Sequence, residues 1–175
     1  MTTLVVEDGT GLANANSYVS VADATTYHSI RGNGDAWSNI DDQASALIIA
    51  TDYMEQVYRL RWAGMRVTAT QALSWPRAYV PLPDAPYGYG SWAAYVPYNV
   101  VLQQAKDACS ILALKSVSGE LAPDLARATL SERVGDIEVT YDKSSPQYVR
   151  YRVIDLLLSP YFGGSSVITR QVVRA

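Results

Sequence analysis

Two stretches of the chain repeat apolar residues at every third or fourth position, and this spacing restricts the fold to one built around helices. The stripes are Leu47, Ala50, Met54 and Val57 in the first stretch, and Val101, Ala105, Ala108 and Leu112 in the second. Asp41 and Asp42 suit the start of the first helix, because carboxylates are favourable at helix N-termini. The second helix should begin at Pro97 and stop at Gly119, residues that are typical of those two positions. We expect the second helix to form the centre of the core.

Shorter helices are predicted on either side of this pair. Ser20 can cap one that ends at Gly32, because a serine oxygen accepts an amide hydrogen and glycine tolerates the left-handed conformation of a helix stop. Ser145 and Pro146 form the N-cap and first-turn proline of the other, which should end near Leu158.

The stretch 130–141 alternates apolar and polar residues on both sides of a Gly-Asp pair, which predicts a β-hairpin. Together these patterns predict a mainly α fold: a small helical bundle with a β-hairpin and extended N- and C-terminal arms. Residues 1–162 form the helical domain. Residues 163–175 begin at a pair of glycines, and we expect them to form a flexible C-terminal tail.

An aromatic, proline-rich loop interrupts the helical domain at residues 78–96. Its aromatic members are Tyr79, Tyr87, Tyr89, Trp92 and Tyr95. Loops of this length are usually functional or mobile, and tyrosine and tryptophan suit surfaces that become covered on assembly. We therefore interpret the segment as a contact loop rather than a disordered linker.

The charge of the chain is unevenly distributed. The formal net charge is -3, and the five cations and single carboxylate after residue 142 contribute +4, so the first 142 residues carry -7. An acidic body disfavours broad nucleic-acid binding, which depends on clustered lysine and arginine. The basic C-terminal end indicates a partner that docks there. Because no apolar run approaches roughly 18 residues, we expect no membrane contact, and Glu7 and Asp8 are unlike the basic start of a secretory signal.

Side chains with catalytic or metal-binding chemistry are scarce in the sequence. His28 is the only histidine, which excludes a histidine cluster around a metal, and we expect it at the surface or half-buried. Cys109 is the only cysteine and lies in an apolar helical pattern, so we expect it in the core. We therefore predict no enzymatic activity, no cofactor and no metal.

One segment mixes basic and aromatic residues. Arg59, Arg61 and Arg66 lie close in sequence to Tyr58 and Trp62, as in proteins that stack aromatic side chains on single strands. In the alternative interpretation, Trp62 packs in the core and the arginines pair with the acids of the body. The acidic charge of the body favours this alternative.

Six short segments resemble one family of phage and prophage proteins. They are Val6-Glu7-Asp8-Gly9-Thr10-Gly11, Ala15-Asn16-Ser17-Tyr18-Val19-Ser20, Ala50-Thr51-Asp52-Tyr53, Arg61-Trp62-Ala63-Gly64, Gln71-Ala72-Leu73-Ser74-Trp75-Pro76-Arg77 and Val134-Gly135-Asp136-Ile137-Glu138-Val139-Thr140-Tyr141. Members are described as DnaT-like single-stranded-DNA-binding proteins. The family is also similar to head-completion or head–tail connector proteins, which form a ring beneath the phage portal. The resemblance covers almost the whole chain.

The resemblance implies a structural head–tail adaptor of a tailed phage, made in the host cytoplasm and located in the neck of the virion. Such an adaptor would form a homo-oligomeric, dodecameric ring between the portal protein and the tail-side neck or tail proteins. DNA would pass through its channel without specific binding. The C-terminal tail would dock on the portal or a neighbour by adding a strand, through Val167, Ile168, Thr169, Arg170, Val172, Val173 and Arg174. The alternative function is single-stranded-DNA binding.

Overall fold

The structure is a computed structural model that describes residues 3–84, 94–124 and 149–163, together with the backbone of residues 131–134 and 137–140. Its helices are α1 (Val21–Ser29), α2 (Gly34–Ser38), α3 (Gln43–Tyr58), α4 (Gln103–Ser116) and α5 (Arg152–Leu158), and a 3-10 turn over Ser159–Tyr161 follows α5. Its strands are β1 (Met65–Arg66), β2 (Arg77–Ala78), β3 (Ser131–Val134) and β4 (Ile137–Thr140). The predicted fold class, mainly α with a β-hairpin, is confirmed.

Helices α3 and α4 pack against each other at the centre of the core, and α1 and α5 pack on α4. The buried stripe residues of the pair are Leu47, Ala50, Met54, Ala105, Ala108 and Leu112, each at most 1% exposed. A fully buried leucine or methionine contributes roughly 1.5–3 kcal/mol relative to an exposed one. Cys109 is also buried, as predicted. No helix in the described part of the chain has the length and apolar character that a bilayer crossing requires.

Val57 departs from the predicted stripe, because its side chain is 39% exposed. The next residue, Tyr58, takes the inward position instead: it is 1% exposed and its hydroxyl donates to Asp155 Oδ1 at 3.1 Å. Successive helical residues point about 100° apart, so a buried Tyr58 turns Val57 toward the surface.

Helix α4 begins at Gln103, six residues later than the predicted start at Pro97. The turn over residues 98–100 lies against the N-terminal loop, where a Cβ added to Gly9 would stand 2.1 Å from the Asn99 carbonyl oxygen. This close approach holds the segment outside the helix, and only a glycine permits it.

Helix α5 begins at Arg152, and the preceding residues 149–151 are not helical, in contrast to the predicted start at Ser145 and Pro146. Residues 145–148 lie outside the described part of the chain. Tyr151 packs edge-on against Tyr53, with ring centroids 5.5 Å apart. This tertiary contact fixes Tyr151 in a non-helical conformation, with φ -91° and ψ 80°.

Helix α2 has no counterpart in the sequence prediction. It spans five residues, and its Trp37 is fully buried with Nε1 donating to Thr25 Oγ1 at 2.9 Å. The Trp37 carbonyl accepts from Gln43 Nε2 at 2.9 Å, which holds α2 beside the start of α3. A helix this short is unstable alone. These tertiary contacts stabilise α2, which explains why no apolar periodicity predicted it.

Two small antiparallel sheets complete the fold. Strands β3 and β4 pair from Ser131↔Thr140 to Val134↔Ile137, which confirms the predicted hairpin within 130–141. Strands β1 and β2 form the second sheet and were not predicted. The N-terminal segment, which was predicted to be an extended arm, forms one isolated bridge between Val6 and Ser17.

His28 is buried at 1% exposed, so the prediction of a surface or half-buried position was wrong. Its ring stacks on Trp37 with centroids 4.9 Å apart, and its Nε2 lies 3.1 Å from the Ser110 carbonyl oxygen. A carbonyl only accepts, so Nε2 carries the proton in this contact. Burial lowers the pKa of His28, because the charged imidazolium loses its hydration.

We expect the fold to lose stability in mild acid through His28. Its folded-state pKa lies below the unfolded value of ~6.5, so the unfolded chain binds the proton more tightly. The free energy of unfolding should therefore fall as pH drops below that unfolded value and through the lowered folded pKa. Urea unfolding at several pH values, for wild type and His28→Gln, measures this. Glutamine can still donate to Ser110 but takes up no proton, so a stability difference that stays constant with pH would contradict the assignment.

Candidate functional site

The N-terminal segment that resembles the family is organised by Glu7, which is 2% exposed. Its Oε1 accepts the amide hydrogens of Gly9 at 3.0 Å and Gly11 at 2.8 Å, and its Oε2 accepts that of Leu12 at 2.8 Å. A buried carboxylate is tolerated when such bonds replace water. Glu7 therefore shapes this loop from inside the protein and is closed to an external ligand.

A second, partly buried network joins three segments that are distant in sequence. The Tyr18 hydroxyl donates to the Glu55 carboxylate, and Ser74 Oγ donates to the other Glu55 oxygen at 2.8 Å. The Ser74 amide donates to Glu55 Oε1 at 3.0 Å and to the Tyr18 hydroxyl at 3.1 Å. Burial and the negative charge of Glu55 raise the pKa of Tyr18 well above its ordinary value. The tyrosine therefore remains a protonated donor that locks the segments together.

Arg77 extends this network with bonds to main-chain oxygens. Its Nε donates to the Ala63 carbonyl at 2.7 Å, its Nη2 to that of Gly64 at 2.8 Å, and its Nη1 to that of Ser74 at 3.2 Å. Arg77 is 7% exposed, and burial lowers its pKa. Because its donors bond to main-chain carbonyl oxygens, this guanidinium holds two segments together and does not present its donors to a nucleic-acid phosphate.

The predicted basic and aromatic segment around Trp62 is mostly part of the core. Tyr58 and Trp62 are 1% and 5% exposed, and Trp62 packs edge-on against Trp75 with centroids 5.5 Å apart. Tyr58 stacks on Phe162 at 5.6 Å. The position of Trp62 in the core, which is one part of the alternative interpretation, is confirmed. Rings buried in this way cannot stack on the bases of a single strand.

Two of the three arginines of that segment, Arg61 and Arg66, make contacts within the fold, whereas Arg59 is exposed. Arg61 Nη1 lies 3.5 Å from Asp155 Oδ1, and its guanidinium lies over the Phe162 ring at 4.3 Å. Arg66 Nη1 donates to the Gln71 carbonyl at 3.0 Å. The predicted pairing with an acid is therefore confirmed for Arg61, whereas Arg66 binds a main-chain carbonyl instead.

A cleft of about 290 Å³ lies between the end of α3 and the start of α5. We call it the α3–α5 cleft; its lining includes Val57, Arg61, Val149, Arg150 and Asp155. Arg150 Nη2 lies 3.7 Å from Asp155 Oδ2, so two arginines share one carboxylate. Val57 and Val149 are 39% and 43% exposed. The cleft thus combines apolar walls with an excess of positive charge.

The structure brings together two residues of the predicted contact loop. The rings of Tyr79 and Tyr95 meet edge-on with centroids 6.0 Å apart, and with Tyr98 they line an open groove of about 450 Å³, here called the tyrosine groove. Tyr79 and Tyr98 are each 64% exposed. Tyr98 was missed, because it falls in a stretch predicted to be helical. The other contact-loop residues, Tyr87, Tyr89 and Trp92, lie outside the described residues.

The predicted docking tail also lies outside the described residues: Val167, Ile168, Thr169, Arg170, Val172, Val173 and Arg174. The chain that leads to it is anchored, because the Gly163 amide donates to the Arg61 carbonyl at 2.7 Å. Phe162 forms a bridge with Trp62 just before this point. Gly163, the last described residue, therefore lies beside Arg61, which lines the α3–α5 cleft.

A family model described as "Putative DnaT-like ssDNA binding protein" matches residues 2–175. The chain belongs to this family. No curated protein and no solved structure matches it. The match establishes membership of the DnaT-like family, whereas the head–tail adaptor role remains a prediction.

In this DnaT-like chain, arginine side chains are drawn into internal contacts across much of the described structure. Besides Arg61, Arg66, Arg77 and Arg150, Arg31 lies over the Tyr27 ring at 3.7 Å and within 4.0 Å of Asp107. A DNA backbone would have to compete with these contacts. Among the described residues, no group of three or more His, Cys, Asp or Glu side chains is placed to hold a metal ion.

Replacing Glu7 tests whether the N-terminal segment serves the fold. Glutamine presents one acceptor oxygen and an NH₂ group to three amide donors, so Glu7→Gln should lower the free energy of unfolding by roughly 1.5–3 kcal/mol. Asp8→Asn is the matched control, because the neighbouring Asp8 carboxylate accepts hydrogen bonds only from the exposed Thr10, so its replacement should change stability less. Urea denaturation of both variants provides the comparison. Equal effects at the two positions would contradict a buried structural role for Glu7.

Proposed function

We propose that this DnaT-like protein is a structural head–tail adaptor of a tailed phage. In this role it forms a ring between the portal protein and the tail-side proteins, around the DNA channel. The observation that carries the proposal is the exposure of large apolar side chains on α5 and directly after α3. Leu60 is 96% exposed, Val153 62% and Leu156 63%.

The position of these side chains favours a protein partner. Val153 and Leu156 stand three residues apart on α5, so they lie on the same side of the helix. Leu60 is the second residue after the end of α3. Single exposed apolar residues are ordinary, but an exposed apolar pair on one side of a helix suits a surface that is covered in the functional assembly.

The charge of the body suits a protein that lets DNA pass. The first 142 residues carry -7, and a wall of like charge would repel the phosphate backbone and limit sticking. Under this proposal the chain performs no catalysis and requires neither a cofactor nor a metal. Its partners are the portal, the tail-side proteins and further copies of itself.

Single-stranded-DNA binding is the second candidate function, and the family description favours it. Since the rings around Trp62 are buried, the tyrosine groove is the surface that would stack on bases. Tyr79, Tyr95 and Tyr98 are 64%, 48% and 64% exposed, as stacking requires. Single-stranded-DNA binding predicts an affinity for an oligonucleotide, which the adaptor function does not. This affinity should fall as the salt concentration rises and should be lower in Tyr79→Ala.

Removal of residues 164–175 tests the adaptor function. We expect the shortened chain to stay folded, because it keeps the Gly163 amide bond to the Arg61 carbonyl and the whole described core. It should no longer bind the portal, since the tail supplies the strand that docks. Light scattering after size-exclusion chromatography, with the portal protein of the same phage, measures binding, and thermal melting measures folding.

A full-length variant with Val167→Ser, Ile168→Ser and Val172→Ser serves as the matched control for chain length. If side chains of the tail carry the affinity, this variant fails to bind as the truncated chain does. A truncated chain that binds the portal as tightly as the full chain would refute a docking role for the tail.

A further inference from the structure

Arg61 lines the α3–α5 cleft and uses only part of its hydrogen-bonding capacity within the fold. Its guanidinium carbon lies 4.3 Å from the centre of the Phe162 ring and 5.3 Å from that of the Tyr58 ring. These two rings stack on each other with centroids 5.6 Å apart, and Tyr58 is buried. Contact with this aromatic pair holds the guanidinium in place, although 46% of the Arg61 side chain is exposed.

One edge of this guanidinium carries two N–H groups that have no partner in the described part of the chain. The side chain makes a single hydrogen bond there, from Nη1 to Asp155 Oδ1 at 3.5 Å. Nε and Nη2 donate to no described atom. Their N–H groups lie parallel on one edge of a guanidinium, and this fork matches the two oxygens of a carboxylate. Arg61 therefore presents a fixed and half-exposed fork at the cleft.

The acid that contacts Arg61 does not occupy this fork. Asp155 Oδ1 accepts the Tyr58 hydroxyl at 3.1 Å, and Arg150 Nη2 lies 3.7 Å from its other oxygen. Asp155 meets Arg61 only through Nη1. A second carboxylate can therefore bind Nε and Nη2 without displacing any of these contacts.

The rest of the lining favours a protein ligand over a nucleic acid. Val57 and Val149 are 39% and 43% exposed and form apolar walls. Among the described residues, the lining holds two cations, Arg61 and Arg150, and one carboxylate, Asp155. A single-stranded backbone is held by a groove with several cations along its length. A short cleft with apolar walls and one open fork suits the side chains of a protein partner instead.

We propose that the α3–α5 cleft binds an acidic side chain of a protein partner, whose carboxylate accepts from Nε and Nη2 of Arg61. An apolar side chain next to that acid packs against Val57 and Val149. Charge complementarity argues for this occupant, because the open fork carries positive charge that Asp155 does not contact. This contact is separate from the C-terminal tail, and it does not depend on the portal being the partner.

Titration of two short peptides into the full-length protein tests this assignment. One is acetyl-Ala-Leu-Glu-Leu-Ala-amide, and the other has glutamine in place of the glutamate, so the two differ in the carboxylate alone. Nitrogen–proton NMR spectra follow the Arg61 Nε–H signal and the amides of α3 and α5. The glutamate peptide should shift the Arg61 signal and bind about tenfold more tightly than the glutamine peptide, because hydrogen bonds between charged groups are the stronger ones.

Three variants separate the fork from the walls and from charge in general. Arg61→Lys keeps the charge but lacks the planar fork, so it should bind the glutamate peptide about tenfold more weakly. Arg59→Lys is the matched control and should bind as the wild type does, because Arg59 is exposed and does not line the cleft. Val57→Ser removes part of an apolar wall and should weaken both peptides to the same degree. Circular dichroism melting verifies that each variant is folded.

Equal affinities of the two peptides would overturn the inference, as would the absence of any shift of the Arg61 signal at millimolar peptide. Undiminished binding of the glutamate peptide by Arg61→Lys would also overturn it. A single-stranded oligonucleotide that displaces the glutamate peptide and shifts the Arg61 signal would assign the cleft to phosphate and contradict a protein ligand. A chain that distinguishes the peptides but does not bind the portal would retain this site and refute the adaptor function alone.

Discussion

The half-buried Glu55 carboxylate makes the contact on which most of the structure depends. It accepts hydrogen bonds from Tyr18 near the N-terminus and from both the amide and the hydroxyl of Ser74. The buried ring of Trp75 and the guanidinium of Arg77 belong to the same segment as Ser74, which this contact connects to α3. Loss of the carboxylate would leave buried donors without partners, which costs more than the bonds themselves contribute.

The residues that identify the family bond within the protein and do not form a ligand site. The segments that carry the resemblance include Glu7, Tyr18, Ser74 and Arg77, and each of these side chains makes internal hydrogen bonds. They specify a framework and leave the ligand undetermined, because function depends on the surface that a framework presents. The described surface offers exposed apolar residues on α5 and directly after α3, and three tyrosines in one groove.

The sequence predicted the elements whose formation is governed by local pattern. Periodicity predicted the buried stripes of α3 and α4 and the alternation of β3 and β4. The exception is Val57, which is exposed because the neighbouring Tyr58 takes the buried position. The burial of His28 beside Trp37 was missed, because stacking between two helices leaves no periodic signal. Within the candidate site, Tyr79 and Tyr95 were predicted. Tyr98 was missed, because the late start of α4 depends on a close approach between Gly9 and Asn99.

The adaptor function is tested most directly by light scattering of the full chain mixed with the portal protein, in parallel with titration of a fluorescent single-stranded oligonucleotide in moderate salt. We expect a complex whose mass exceeds that of the portal by several copies of the chain, with no binding of the oligonucleotide. Tight, salt-sensitive binding of the oligonucleotide without portal association would contradict the adaptor function. Single-stranded-DNA binding would then be the function, with the tyrosine groove as its site.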